Sequence, residues 1–160
     1  GTFDAVLTCH VMHLVGPWRE ALLEYRRILK PKGAYINART EHVGESIHEQ
    51  VRSHWRSQVE EYGVISQRPG VKDEKELHEA LRSMGAVVTQ VEVVRFPRSY
   101  VVRELIERIA KRSFSHSWDV PDDVLEKSLD ELKSWSLQEY GDLDKVFEEQ
   151  ACFILDVTHF

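Results

Sequence analysis

Two imidazoles three positions apart, His10 and His13 in the run Thr8-Cys9-His10-Val11-Met12-His13, carry the most evident chemistry in the sequence. An imidazole titrates near working pH, so such a side chain can serve as general base toward a hydroxyl or amine acceptor. The same pair reads as H-x-x-H, yet no third or fourth ligand follows at a recognisable metal-site spacing. His42, His48 and His54 are spread along a helix and its approach, and an i, i+6 interval does not share a helix face well. No metal site is expected. Cys9 and Cys152 both sit in apolar, strand-like runs (AVLTC and ACFILDV), where a buried, reduced thiol is the simplest expectation.

The elements that would position these groups follow from pattern. Phe3 to Thr8 is a short apolar run, as expected of a strand covered on both faces. Pro17 suits the first turn of a helix. Ala21, Leu22, Tyr25, Ile28 and Leu29 then recur at helical spacing, opposite Arg19, Glu20, Glu24 and Arg27. Pro31 and Gly33 should stop that helix and turn the chain, with Gly33 taking the backbone angle the turn requires. Ala34 to Ala38 follows as a second strand. Strand, helix, strand makes a βαβ unit. Ligands bind beyond the carboxyl ends of strands in open α/β sheets, which places Thr8-Cys9-His10 and Ala38-Arg39-Thr40 at the expected site.

Farther along, Ile47, Val51, Trp55 and Val59 form a narrow stripe on a helix over 45–62, which should be half buried. Asp73 and Glu76 read as a capping box for a helix ending at Met84, before Gly85. The Val-rich run 86–96 is a strand that Pro97 should break, with Ser99 opening a helix to about Ala110. A further helix starts at Pro121 and ends near Tyr140-Gly141, and a last strand covers 150–157.

Composition narrows the class. The 160 residues are 42% hydrophobic and 30% charged, one domain's worth of chain with material for a core. A formal charge of −6 argues against a general nucleic-acid binder, since those show a basic surplus. "RELIERIAKR" at 103–112 carries both signs of charge and reads as a solvated helix face. No apolar run approaches the roughly 20 residues that span a bilayer. Asp4 interrupts the start, and no basic leader precedes an apolar segment, so a cytoplasmic protein is expected.

The opening stretch resembles class I S-adenosylmethionine-dependent methyltransferases. The resemblance runs through Phe3-Asp4 and its hydrophobic strand, Thr8 to His13, Trp18 before a helix with Arg27-Ile28-Leu29, and the Leu29-Lys30-Pro31-Lys32-Gly33 turn. In that family these are the fourth strand, the loop facing the cofactor, the fourth helix and the turn into the fifth strand, and the usual form has Gly where Lys32 stands. The resemblance implies an α/β fold: a partial Rossmann-like methyltransferase sheet, mostly parallel with an antiparallel last strand, plus added helices. It covers Phe3 to Ala38 closely and the remainder by order of elements. The chain then reads as a single partial domain over 1–160, with helical insertions near 41–72 and 97–148.

The family's Gly-rich loop between its first strand and first helix has no counterpart here, because the eight glycines are isolated and no G-x-G occurs. The chain resembles strands four to seven, so weak or absent binding of S-adenosylmethionine by this chain is expected. By resemblance, Thr8, Cys9 and His10 lie along the methionine part of the cofactor, and His13 is the catalytic candidate facing a small-molecule acceptor. Arg39 at a strand end and Trp55 on a lid-like helix are the substrate-binding candidates. As a complete protein this implies a methyltransferase without nucleic-acid or membrane partners. The alternative is a non-catalytic methyltransferase-like module. In either case Phe3 to Thr8, lacking its family neighbour, is an apolar edge expected to pair with a second copy or with the missing amino-terminal half. A Rossmann dehydrogenase stands third, since it too needs the glycines.

Overall fold

The first strand forms where the apolar run lies, β1 at Phe3–Cys9, and a single-turn 3₁₀ segment at Met12–Leu14 leads toward helix α1, Trp18–Ile28. In this computed structural model, residues 1–65 and 68–160 are described. The remaining elements are β2 at Leu29–Val43, α2 at Ile47–Glu61, α3 at Glu74–Ser83, β3 at Val87–Val101, α4 at Val102–Ala110, α5 at Asp122–Tyr140 and β4 at Val146–His159. The four strands form one sheet in the order β1-β2-β4-β3, with β1 parallel to β2. The last strand in sequence therefore lies between the second and third. This is an α/β fold, as the patterning predicts.

The chain divides into two compact units, one of 1–41, 68–96 and 151–160, the other of 42–67 and 97–150. The first unit buries Trp18, Leu22, Tyr35, Leu77 and Leu81 in its core. Asp73 caps α3 by accepting from the Glu76 amide at 2.8 Å. Glu76 returns the bond one residue farther out, accepting from the Lys72 amide at 3.0 Å. The second unit has its own core, where Ile47, Val51, Trp55 and Val59 meet Val102, Leu105, Ile109 and Leu132. The stripe on α2 is fully buried, not half buried, because α4 and α5 both pack against α2.

Three local expectations are corrected. The Leu29–Gly33 segment is an irregularity inside β2, not a turn before it. Phe3 pairs with Leu29 and Ala5 with Ala34, so one residue of β1 faces four of β2. Lys32, and not Gly33, takes the left-handed backbone with φ of 69°. Gly33 is needed for space instead, since a Cβ there would lie 3.0 Å from the carbonyl oxygens of Asp4 and Lys30.

Pro97 does not break its strand, which continues to Val101, so Ser99 lies in β3 and α4 begins at Val102. β3 is an edge strand, and an edge position tolerates a residue that cannot donate a ladder hydrogen bond. Ser99 instead donates its hydroxyl to Glu148 at 2.8 Å. Cys9 is exposed rather than buried, while Cys152 is buried, and both are free thiols. The exposure of Cys9 follows from the edge position of β1, which also leaves Phe3 54% and Leu7 65% exposed.

Candidate functional site

The carboxyl ends of β1 and β2 lie side by side, Cys9 opposite Ala38, and two bonds join the chain just beyond them. The His10 amide donates to the Ala38 carbonyl at 3.2 Å, and the Thr40 amide donates to His10 Nε2 at 3.1 Å. Accepting at Nε2 puts the ring proton of His10 on Nδ1. His10 also has a left-handed backbone, φ of 50°, an uncommon state for a residue with a side chain. The imidazole thus holds a sharp exit from the strand and closes the floor between the two strand ends.

Above that floor lies a cleft of about 120 Å³, lined by His10, Met12, His13, Asn37, Arg39 and the 71–74 segment among others. Its far wall is held against the post-strand turn by paired backbone contacts. The Gly70 amide donates to the His13 carbonyl at 3.2 Å and the Val71 amide to the Met12 carbonyl at 3.1 Å. Gly70 is required by this approach, because a Cβ there would lie 2.1 Å from the Met12 oxygen.

A short polar relay ends at the cleft. Thr8, buried under the strand ends, donates its hydroxyl to Asn37 Oδ1 at 3.0 Å, and Tyr35 lies 2.9 Å from the same hydroxyl. A hydroxyl has one proton, so the Tyr35 phenol is the donor to Thr8. Burial pushes the Tyr35 phenol well above its ordinary range, which keeps that proton in place. Thr8 thereby fixes the Asn37 carboxamide rather than lining the cleft itself.

Arg39 is buried and surrounded by carboxylates. Its Nε lies 2.6 Å from Glu41 and 3.5 Å from Glu74, and its Nη1 bonds Asp156 on β4, which has no exposed surface. Gln90 donates to the other oxygen of Asp156 at 3.2 Å, and His78 Nε2 lies 3.0 Å from the oxygen that Arg39 uses. The guanidinium is therefore a strut linking β2, β4 and α3, with its charge already balanced. An open anion receptor would look different.

Of the residues singled out from sequence, His10, His13 and Arg39 come together at this cleft, and Thr8 lies beneath it. Cys9 does not line it. Trp55 is far from such a role, fully buried in the second unit with its indole N–H donated to Ser128 at 2.9 Å, and it has no surface to offer a ligand. Sequence reasoning missed Asn37, Asp73, Glu74 and the Gly70 contact. Its place one residue before the strand-end tripeptide Ala38-Arg39-Thr40 could have flagged Asn37, whereas nothing local marks Gly70 as a neighbour of Met12.

Residues 1–37 match the sequence model of the methyltransferase domain family. Among solved structures, a candidate methyltransferase from Bacillus halodurans is 14% identical, covering 98% of this chain and 68% of that one, with a TM-score of 0.50. A candidate type II methyltransferase from Anaeromyxobacter dehalogenans is 10% identical, covering 98% of this chain and 64% of that one, with a TM-score of 0.51. No curated protein matches in sequence. The fold is thus shared with these two structures, and the resemblance of Phe3 to Ala38 to methyltransferases is borne out by the family match over residues 1–37. The chain spans about two thirds of the length of these two structures. Among the described residues no helix is long and apolar enough to cross a membrane.

Proposed function

We propose that this chain is the acceptor-facing, carboxyl-side part of an S-adenosylmethionine-dependent methyltransferase acting on a small molecule. The observation that carries the reading is positional: the family-matched segment 1–37 ends where β1 and β2 open onto the cleft. When bound, the cofactor supplies an electrophilic methyl group on a sulfonium centre.

The fit is partial. A cleft of about 120 Å³ is well under the roughly 300–1,000 Å³ of pockets that enclose a drug-sized ligand. Its polar lining of His10, Asn37 and Asp73 suits the amino-acid end of the cofactor. Among the described residues nothing in it provides the glycine-lined approach a nucleoside and ribose require. What the chain's own residues do is narrower. His10 and Asn37 are held rigid by Thr40 and by the Thr8–Tyr35 relay, and His13 presents an imidazole in the same cleft, where it can take a proton from an acceptor hydroxyl or amine.

Titration calorimetry with S-adenosylmethionine and S-adenosylhomocysteine tests the reading, on this chain and on the full gene product. Weak binding by the chain and tight binding by the full product are expected. No binding by the full product overturns it.

A second reading rests on β1. Its exposed Phe3 and Leu7 lie on a parallel edge strand, and folded proteins generally blunt such edges. In that reading the chain is a non-catalytic module that pairs through β1 with a second copy or another methyltransferase segment. Leu7→Lys should then abolish self-association in sedimentation while leaving thermal stability nearly unchanged. A wild-type chain that is monomeric at all concentrations and binds no amino-terminal methyltransferase segment removes this reading.

A further inference from the structure

Two histidine rings in the second unit stand in an arrangement that ordinary packing does not explain. His42, at the end of β2, and His48, on the first turn of α2, have ring centroids 5.0 Å apart. Gly44, with φ of 82°, turns the chain between them, so a strand residue and a helix residue meet although six positions separate them. The i, i+6 objection applies only to two residues on one helix. Tyr100 stacks on His48 at 5.1 Å and Phe114 meets it edge-on at 5.7 Å, so aromatic rings cover the pair.

A carboxylate lies at ion-pair distance from each ring. Glu149 Oε2 lies 3.3 Å from His42 Nδ1, and Glu49 Oε1 lies 3.4 Å from His48 Nδ1. None of His42 Nδ1, His48 Nδ1 and Glu149 Oε2 makes a well-aligned hydrogen bond, although all three are buried. Buried polar atoms held so loosely are uncommon in native proteins, and an ion is one of the things that can draw them together. One ligand atom each from His42, His48 and Glu49 lies within 4.8 Å of the other two. Tetrahedral zinc with bonds of about 2.0–2.1 Å needs ligand atoms about 3.3–3.5 Å apart, so atoms at that limit would close by roughly 1.3–1.5 Å on binding.

We propose that His42, His48 and Glu49 form a binding site for a divalent transition metal of the zinc class, with Glu149 holding the His42 ring from behind. Glu149 is itself fixed, accepting from the Ile47 amide at 2.5 Å through its other oxygen, and carboxylates that orient a ligating histidine recur around zinc. A bound ion would clip the end of β2, the start of α2 and β4 into one corner. The proposal stands independently of methyl transfer.

The test is titration of the metal-free chain with Zn²⁺ against a chromophoric chelator, together with the visible spectrum of the Co²⁺ form. One equivalent should bind, with the intense bands of a four-coordinate cobalt site. His42→Gln and His48→Gln should each weaken zinc by about 100-fold or more, and Glu149→Gln by about 10–100-fold. Replacing Cys9 and His13 together should leave zinc affinity unchanged. In wild-type protein, Zn²⁺ should shift the ring signals of His42 and His48 in the NMR spectrum, a readout that does not depend on any variant folding. Affinity no better than about millimolar, or zinc binding that persists without both histidines, overturns the proposal.

Discussion

Replacing Asp156 by Ala is the sharpest test of how the cleft is built. Asp156 has no exposed surface, and its two oxygens are held by Arg39 and Gln90, with His78 at 3.0 Å. Removing it leaves the buried Arg39 guanidinium with Glu41 and Glu74, both about half exposed, and deprives Gln90 of its acceptor. Breaking one side of a buried ion pair typically loses about 3–5 kcal/mol. That is a large share of the roughly 5–15 kcal/mol that holds a domain folded. The assay is urea unfolding of wild type, Asp156→Ala, Arg39→Met and the Arg39→Met/Asp156→Leu double variant. The double variant should be more stable than Asp156→Ala, because it removes both buried charges instead of leaving the guanidinium with only its two half-exposed partners. If Asp156→Ala loses under about 1 kcal/mol, or if the double variant is no better, then Arg39 is not a strut and its position in the cleft needs another explanation.

Three further outcomes are expected. Gly70→Ala should lose about 2–4 kcal/mol in denaturant unfolding, since its Cβ collides with the Met12 carbonyl and two backbone bonds must part. Hydrogen exchange at the Val71 amide should accelerate in the same variant. Lys32→Gly should stabilise the protein by about 0.5–1 kcal/mol, because left-handed strain is relieved and only partly offset by glycine's freedom in the unfolded chain. An unchanged unfolding midpoint would contradict the assigned backbone. His54 stacks on Trp135 at 3.7 Å, and burial lowers its pKa. Its contribution is complete above the unfolded value near 6.5 and is lost as pH falls below that toward the depressed folded value. An NMR titration of the His54 ring should show a midpoint below 6.5, with Trp135 fluorescence changing alongside; a midpoint at or above 6.5 would contradict the stacked geometry.

Local signals in the sequence carried much of the fold. The apolar run of β1, the amphipathic α1, the Asp73–Glu76 cap and the glycines after α3 and α5 act over a few residues, and each lies where its pattern places it. Pro97 misled because its effect depends on whether the strand is at an edge, which is a property of the sheet and not of the neighbours in sequence. Lys32 and Gly33 exchanged roles for a related reason. The left-handed residue was read as the glycine, while the glycine was required by the approach of Asp4 from another strand. The His10 and Arg39 positions were legible from the strand-end rule. Asp156 was not, since 117 residues separate it from Arg39. The His42–His48 meeting is not legible from the i, i+6 interval, because the Gly44 turn between strand and helix brings the two rings together.

The account rests on the strand ends of β1 and β2 being the surface that meets the cofactor. Amide shift mapping with S-adenosylhomocysteine measures this directly on the chain itself. The account predicts weak, saturable shifts confined to residues 8–14, 37–40 and 70–74, reduced by His10→Ala. Shifts confined to 97–150, or none at the solubility limit of the ligand, would contradict it.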